Sequence, residues 1–256
     1  MFTSLSYLHG AKVTARDGDI GTVREALFDD RSWALRYLVV ETGSWLQKRQ
    51  VLISPYAVQH PLGHDKHLHL SLSQQQVRDS PPVDTHLPVS RQQERELLTH
   101  YGYPSYWEGD GLWGMGATPG AEYRLLSMEH QAANRAMLDR DAKNNDSHLR
   151  SSTEVCGYEI QATDHVIGEV DDLVIDDANW ALRYLVVETS SWWQGGRKVL
   201  IGMNWAERID ATTKKFHVKL SREEVKDSPP FEDVASIHRE YELLLHRKAK
   251  RVGYWV

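Results

Sequence analysis

The stretch that decides the fold is Gly21–Trp45, GTVREALFDDRSWALRYLVVETGSW, because Gly168–Trp192 repeats it as GEVDDLVIDDANWALRYLVVETSSW. Sixteen of the 25 aligned positions are identical, among them the unbroken decapeptide WALRYLVVET at Trp33–Thr42 and Trp180–Thr189. Self-similarity on this scale means two copies of one structural unit, and a period of 147 residues is far too long for a solenoid. Within the repeat, Leu35, Tyr37 and Val39 alternate with Arg36, Leu38 and Val40, so both faces of Ala34–Glu41 are largely apolar. That pattern predicts a strand covered on both sides, and Ala181–Glu188 reads the same way. Upstream, Thr22–Phe28 and Glu169–Ile175 predict a second strand in each copy. The connections Asp29-Asp30-Arg31-Ser32 and Asp176-Asp177-Ala178-Asn179 carry turn chemistry, since Asp, Asn and Ser bond their own backbone. Each strand pair is therefore a hairpin, and turn chemistry alone accounts for the paired aspartates.

The correspondence extends outward. A first strand is expected within residues 5–14. Ala15–Gly21, ARDGDIG, matches Ala162–Gly168, ATDHVIG. Val51-Leu52-Ile53 aligns with Val199-Leu200-Ile201 at an offset of 148, because the second copy has one extra residue in its loop. In His67–Leu72 the leucines 68, 70 and 72 alternate with polar residues; Phe216, Val218 and Leu220 do so in the other copy. Both copies close on LSxxxVxDSPP. Ser73 with Gln76 and Ser221 with Glu224 form capping boxes that start a short helix, which the proline pairs end.

A helical tail follows each copy. Ser90 and Gln93 cap a helix over Arg91–His100, and Val234, Ile237, Tyr241 and Leu244 predict an amphipathic helix near 233–248. Between the copies lie the aromatic run Tyr101–Trp107 and the glycine-rich Glu108–Gly120. Gly253-Tyr254-Trp255 echoes Tyr103–Trp107, so the two tails are expected to dock similarly. The expected organisation is copy 1 at 1–88, a helix and linker at 89–150, copy 2 at 151–232, and a helical tail at 233–256. The expected fold is mainly β: two tandem small antiparallel β-barrels with short helices and an irregular linker.

Composition narrows the function. A net charge of −6 and a pI near 6.1 count against a general nucleic-acid binder. The single Cys156 excludes an internal disulfide framework. No run of 18 apolar residues marks a membrane span, and no signal peptide is evident, so a cytoplasmic location is the expectation. No phosphate-binding glycine loop, zinc-protease helix or nucleophile elbow is present. No catalytic residue and no cofactor are assigned, and the chain is not expected to be an enzyme. His60, His64, His67 and His69 are the best metal candidates, since His67 and His69 share a strand face and imidazole suits zinc, copper or nickel. A solvated loop and outer strand face explain the same histidines.

IGxVxDxxxDDxxWALRYLVVET, the VLI strand and the closing DSPP helix resemble the PRC-barrel domain. That domain is named from the cytoplasmic part of the photosynthetic reaction-centre H subunit, and a related barrel ends a ribosome-maturation factor. With its aromatic linker His100–Trp107, the chain is similar to a bacterial subgroup carrying two such domains. The resemblance covers about 10–82 and 157–230. It implies small bent barrels serving as interaction and assembly modules and carries over no functional residue. An adaptor is thus expected, binding a protein partner or itself, a homodimer included. Trp45, Trp192 and Trp193 are the candidate contacts, because aromatic residues are enriched in interface cores. A loop folded onto its own barrel explains these tryptophans equally well. The competing class is a small-ligand or metal sensor, which retention of stoichiometric metal would support. A ribosome or RNA role rests on fold analogy alone.

Overall fold

The computed structural model describes residues 1–59, 65–82, 89–120, 148–189 and 196–255. The chain is mainly β. Its described strands are β1 (Phe2–Ser4), β2 (Lys12–Ala15), β3 (Gly18–Asp29), β4 (Ala34–Thr42), β5 (Gln50–Ile53), β6 (His67–His69), β7 (Leu149–Ser151), β8 (Glu159–Gln161), β9 (Val166–Asp176), β10 (Ala181–Thr189), β11 (Lys198–Gly202), β12 (Ala206–Asp210) and β13 (Lys215–Val218). They form two compact units. The first comprises Tyr7–Arg150 with Asp177–Ala181; the second comprises Met1–Ser6, Ser151–Asp176 and Leu182–Val256.

In the first unit β4 pairs antiparallel with β3 and β5, and β3 pairs with β2. The β3–β4 hairpin closes as the aspartates predict: Asp29 Oδ1 accepts from the backbone N–H groups of Arg31 (2.8 Å) and Ser32 (3.1 Å). Trp33 then takes a left-handed conformation (φ 54°), as does Trp180 in the other copy (φ 59°), an uncommon position for a bulky residue. Ala34 through Val40 are all buried, which bears out a strand covered on both faces. In the second unit β9 pairs with β8, and β10 with β11.

Two features depart from antiparallel barrels. First, β2 pairs with β6, and β8 with β13, in parallel. Each pair is joined by a long stretch of chain, which parallel pairing requires. Second, the sheet is not closed. In the second unit the path ends at β11 and β12, which follow one another through the 3-10 turn Met203–Trp205. In the first unit the corresponding link is a 3-10 turn, Pro55–Ala57, and a single bridge between Val58 and Leu70. Chain continuity, not a ladder of hydrogen bonds, spans the gap in each case.

The segment ahead of each copy lies on the other copy's strand. In the second unit β1 pairs with β9, with Phe2 opposite Asp176, Thr3 opposite Ile175 and Ser4 opposite Val174. The Ser6 N–H donates to Asp172 Oδ1 at 3.1 Å in the same unit. In the first unit β7 pairs with β3, and Asp30 N–H donates to His148 O at 3.0 Å. β1 and β7 occupy equivalent places in the repeat, so the exchange is reciprocal.

The helices follow their caps. Ser73/Gln76, Ser90/Gln93 and Ser221/Glu224 form full capping boxes for Gln74–Arg78, Arg91–Tyr101 and Arg222–Lys226. The C-terminal helix is shorter than the 3.6-residue period predicts. Val234–Ser236 is a separate 3-10 turn, and His238 caps an α-helix over Arg239–Lys248 by accepting from Tyr241 N–H. Its buried face carries Glu242, Leu245, His246 and Ala249, leaving Leu244 exposed. A buried acid and histidine hid that face from a hydrophobic count. The N-terminal region holds a four-residue helix, Leu5–Leu8, before β2.

Candidate functional site

A polar cluster is buried in the first unit, and four segments build it, His148 coming from the one just ahead of β7. β4 supplies Arg36 and Tyr37 from inside the repeated decapeptide. The helix Arg91–Tyr101 supplies Arg91 and Glu94 one turn apart. The helix stops at Gly102, whose φ of 72° takes the left-handed turn that lets the Tyr103 N–H donate back to Leu98 O at 2.8 Å. The aromatic tail then returns to bring Tyr106 over β4.

Glu94 is fully buried, and Tyr106 Oη donates to it. Arg91 Nη1 and His148 Nε2 each lie 3.3 Å from Glu94 Oε1. Because the Tyr106 proton is committed to Glu94, the phenol oxygen accepts from Arg91 Nη1 (3.1 Å) and from His148 Nε2 (3.0 Å). Burial, then the Glu94 charge, pushes the Tyr106 phenol well above its ordinary pKa and keeps it a donor. Tyr37 is pushed up by burial and then by Glu94 in the same way. Arg36 is also buried. Its Nη1 donates to Leu112 O (2.7 Å), its Nη2 to Ser32 Oγ (2.8 Å), and its plane lies 3.8 Å from the Tyr106 ring centroid and 4.8 Å from that of Trp113. Burial lowers its pKa, opposed by Tyr106 and Asp29.

The second unit repeats the arginine, tyrosine and glutamate positions of the cluster, without a counterpart of His148 among the described residues. Tyr184 Oη (2.7 Å) and Tyr254 Oη (2.9 Å) both donate to Glu242 Oε1, and Arg239 Nη1 lies 3.5 Å from Glu242 Oε2. Arg183 stacks on Tyr254 at 4.0 Å, and Arg239 on Trp255 at 3.8 Å. The tails do dock alike. The arrangement is a clamp: a buried carboxylate draws two tyrosines and an arginine from three segments onto one point, and a buried network of this kind fixes the geometry of everything it joins. With Glu94 fully buried, its Oε2 bonded to Tyr106 and its Oε1 facing Arg91 and His148 at 3.3 Å without a hydrogen bond, the chemistry it offers is positioning.

The residues predicted from sequence lie elsewhere. His67 and His69 stack at 4.4 Å, with His67 Nε2 (3.1 Å) and His69 Nδ1 (2.9 Å) on the Thr14 hydroxyl. His60 and His64 lie outside the described residues. Among the described residues no three His, Cys, Asp or Glu side chains are placed to hold a metal ion. Trp45 is half-buried in the 3-10 turn Ser44–Leu46, where its Nε1 donates to Ile20 O at 2.8 Å and Arg78 lies 5.6 Å over its ring. Trp192 and Trp193 lie outside the described residues. Cys156 is exposed, but its Sγ lies 3.6 Å from Asp171 O. Desolvation at the sulfur, then the charges of Asp172 and Asp171, push its thiol up to about 11, the opposite of an activated nucleophile.

Sequence reasoning missed Glu94, Glu242, Arg36 and Arg183. A signal existed: at an offset of 148, Arg91, Glu94, Tyr106 and Trp107 align with Arg239, Glu242, Tyr254 and Trp255. No curated protein matches the chain. Residues 148–225, which span most of the second copy, match the PRC-barrel domain family, a β-barrel module suggestive of a non-enzymatic role.

Proposed function

We propose that the chain is a non-catalytic assembly module built from two PRC-type barrel copies, 1–88 and 151–232, each followed by a clamped aromatic tail. The observation that carries this reading is the PRC-barrel match at 148–225, since such domains often mediate protein interactions. The buried clamps support it, because they spend the strongest polar clusters on internal order. The module works in the cytoplasm, on a protein partner or on a second copy of itself. No helix among the described residues is long and apolar enough to cross a membrane.

In this reading the loop tryptophans Trp45, Trp192 and Trp193 contribute contacts. Truncating an aromatic anchor in an interface core costs roughly 2 kcal/mol or more of binding. Replacing Trp192 and Trp193 with Ser is expected to weaken association while leaving the thermal unfolding transition in place. Analytical ultracentrifugation of wild type and variant measures it, and unchanged association removes these residues from the interface. Native mass spectrometry of protein gently isolated at low salt tests the role itself. An added protein mass, or a multiple of 29.4 kDa, supports it, whereas the bare chain alone refutes it.

A further inference from the structure

The two clamps are equivalent in sequence but not in cover. In the first unit Arg36 is 2% exposed, because a turn folds over it. Within that turn Gly111 N–H donates to Gly114 O (2.7 Å), Trp113 N–H to Gly116 O (2.8 Å) and Gly114 N–H to Tyr106 O (2.9 Å). The turn gives Arg36 a main-chain carbonyl, that of Leu112, and an indole, that of Trp113, whose Nε1 is tied to Asn179 O at 2.7 Å. Its glycines are required: a Cβ on Gly111 would come within 2.6 Å of Gly116 O, and one on Gly114 within 2.9 Å of Ser105 O.

Among the described residues the second unit has the arginine without a turn over it. Arg183 is 19% exposed; it meets Asp176 at 3.6 Å and the Tyr254 ring, and among the described residues it reaches no main-chain carbonyl. As in Arg36, its Nε is buried with no hydrogen-bond partner, so the two arginines differ at their Nη groups. The surroundings are open as well. Arg91 is 13% exposed whereas its counterpart Arg239 is 53% exposed. Arg95, one helical turn on, is buried, whereas Leu243 at the equivalent position is 45% exposed. A stacked guanidinium that meets no main-chain carbonyl can take one from a matching chain, as Arg36 takes that of Leu112.

We propose that the Arg183–Tyr254–Trp255 face of the second unit binds a turn of another protein chain, one that carries an aromatic residue between glycines and presents a main-chain carbonyl to Arg183. The first unit displays that complex in cis. The proposal rests on the assembly-module reading and names the face it uses. A small anion would meet the charge but would not supply an indole like that of Trp113 over Arg36.

The probe is a synthetic peptide of residues Glu108–Ala117, titrated to millimolar concentration into the isotope-labelled full chain and followed by NMR. Saturable shifts are expected around Arg183, Leu243 and Tyr254. The same peptide with Trp113→Ala is expected to bind about tenfold more weakly, the usual loss for an aromatic anchor. Arg183→Lys keeps the charge and the stem but loses the planar fork, and is expected to weaken the wild-type peptide severalfold with the melting temperature unchanged. No saturable shift, shifts confined to the first unit, or indifference to both substitutions overturns the proposal. Native mass spectrometry separates this from the parent reading. A protein partner retained by Arg183→Lys at full occupancy refutes the face alone, whereas no partner and no second copy on the wild type refutes the module.

Discussion

Replacing Glu94 with Ala is expected to destabilise the first unit by about 3–5 kcal/mol, the cost of stranding buried charges by removing one partner. Glu94 is where Tyr106, Arg91 and His148 converge. Without it, the Tyr106 hydroxyl loses its acceptor and His148, itself buried, loses the nearer of its two carboxylates, Asp29 lying at 4.0 Å. The tail from Gly102 to Gly116 then keeps the Trp113 bond to Asn179 O and the Tyr56 ring contacts, and Arg36 loses a firmly placed Tyr106 for its own stack. Glu94→Gln keeps an acceptor for the phenol but removes the charge, so it is expected to fall between wild type and Ala. Glu242→Ala is expected to cost less, because its partner Arg239 stands largely in solvent and regains hydration when released. Urea unfolding of the three variants measures the order. Equal losses for Glu94→Ala and Glu242→Ala would contradict the role given to burial.

Gly21→Ala and Gly168→Ala are expected to be the most damaging backbone substitutions. An added Cβ would come 1.9 Å from Glu41 O in the first unit and 2.1 Å from Glu188 O in the second. Those oxygens belong to β4 and β10, the repeated strands, and neither can retreat without breaking the ladder beside it. Overpacking against backbone costs about 3 kcal/mol. Gly10 is the control: its φ is 76°, but nothing lies within 4 Å of an added Cβ, so Gly10→Ala is expected to cost about 1 kcal/mol of left-handed strain alone. Thermal unfolding of the three variants, with Gly10→Ala close to wild type, checks the distinction.

The strands were legible because their signals are local. The decapeptide is apolar on both faces, the turn aspartates bond their own backbone, and Ser73, Ser90 and Ser221 cap where the spacing says they should. What was not legible depends on partners far along the chain. Alternation in a strand says which face is buried, never which strand lies alongside, so the exchange of β1 and β7 left no mark in the sequence. The joint burial of Glu94 and Arg36 was not legible locally, because charged side chains are seldom buried unless paired, and their partners come from other segments. The same rule misplaced the C-terminal helix face, where Glu242 and His246 point inward. Trp45 was a candidate contact by residue type, but the carbonyl of Ile20 that holds it is 25 residues away.

Reciprocal completion of the two units by β1 and β7 is the feature on which the architecture turns, and one NMR measurement tests it most directly. Thr3 lies opposite Ile175 in an antiparallel pair, a residue from the other half of the chain. Its counterpart within its own half of the chain is Phe28, which aligns with Ile175 in the repeat. Backbone nuclear Overhauser contacts from Thr3 to the strand around Ile175 are the result this account requires. Contacts from Thr3 to the strand around Phe28 would mean that each copy completes itself, and would contradict it.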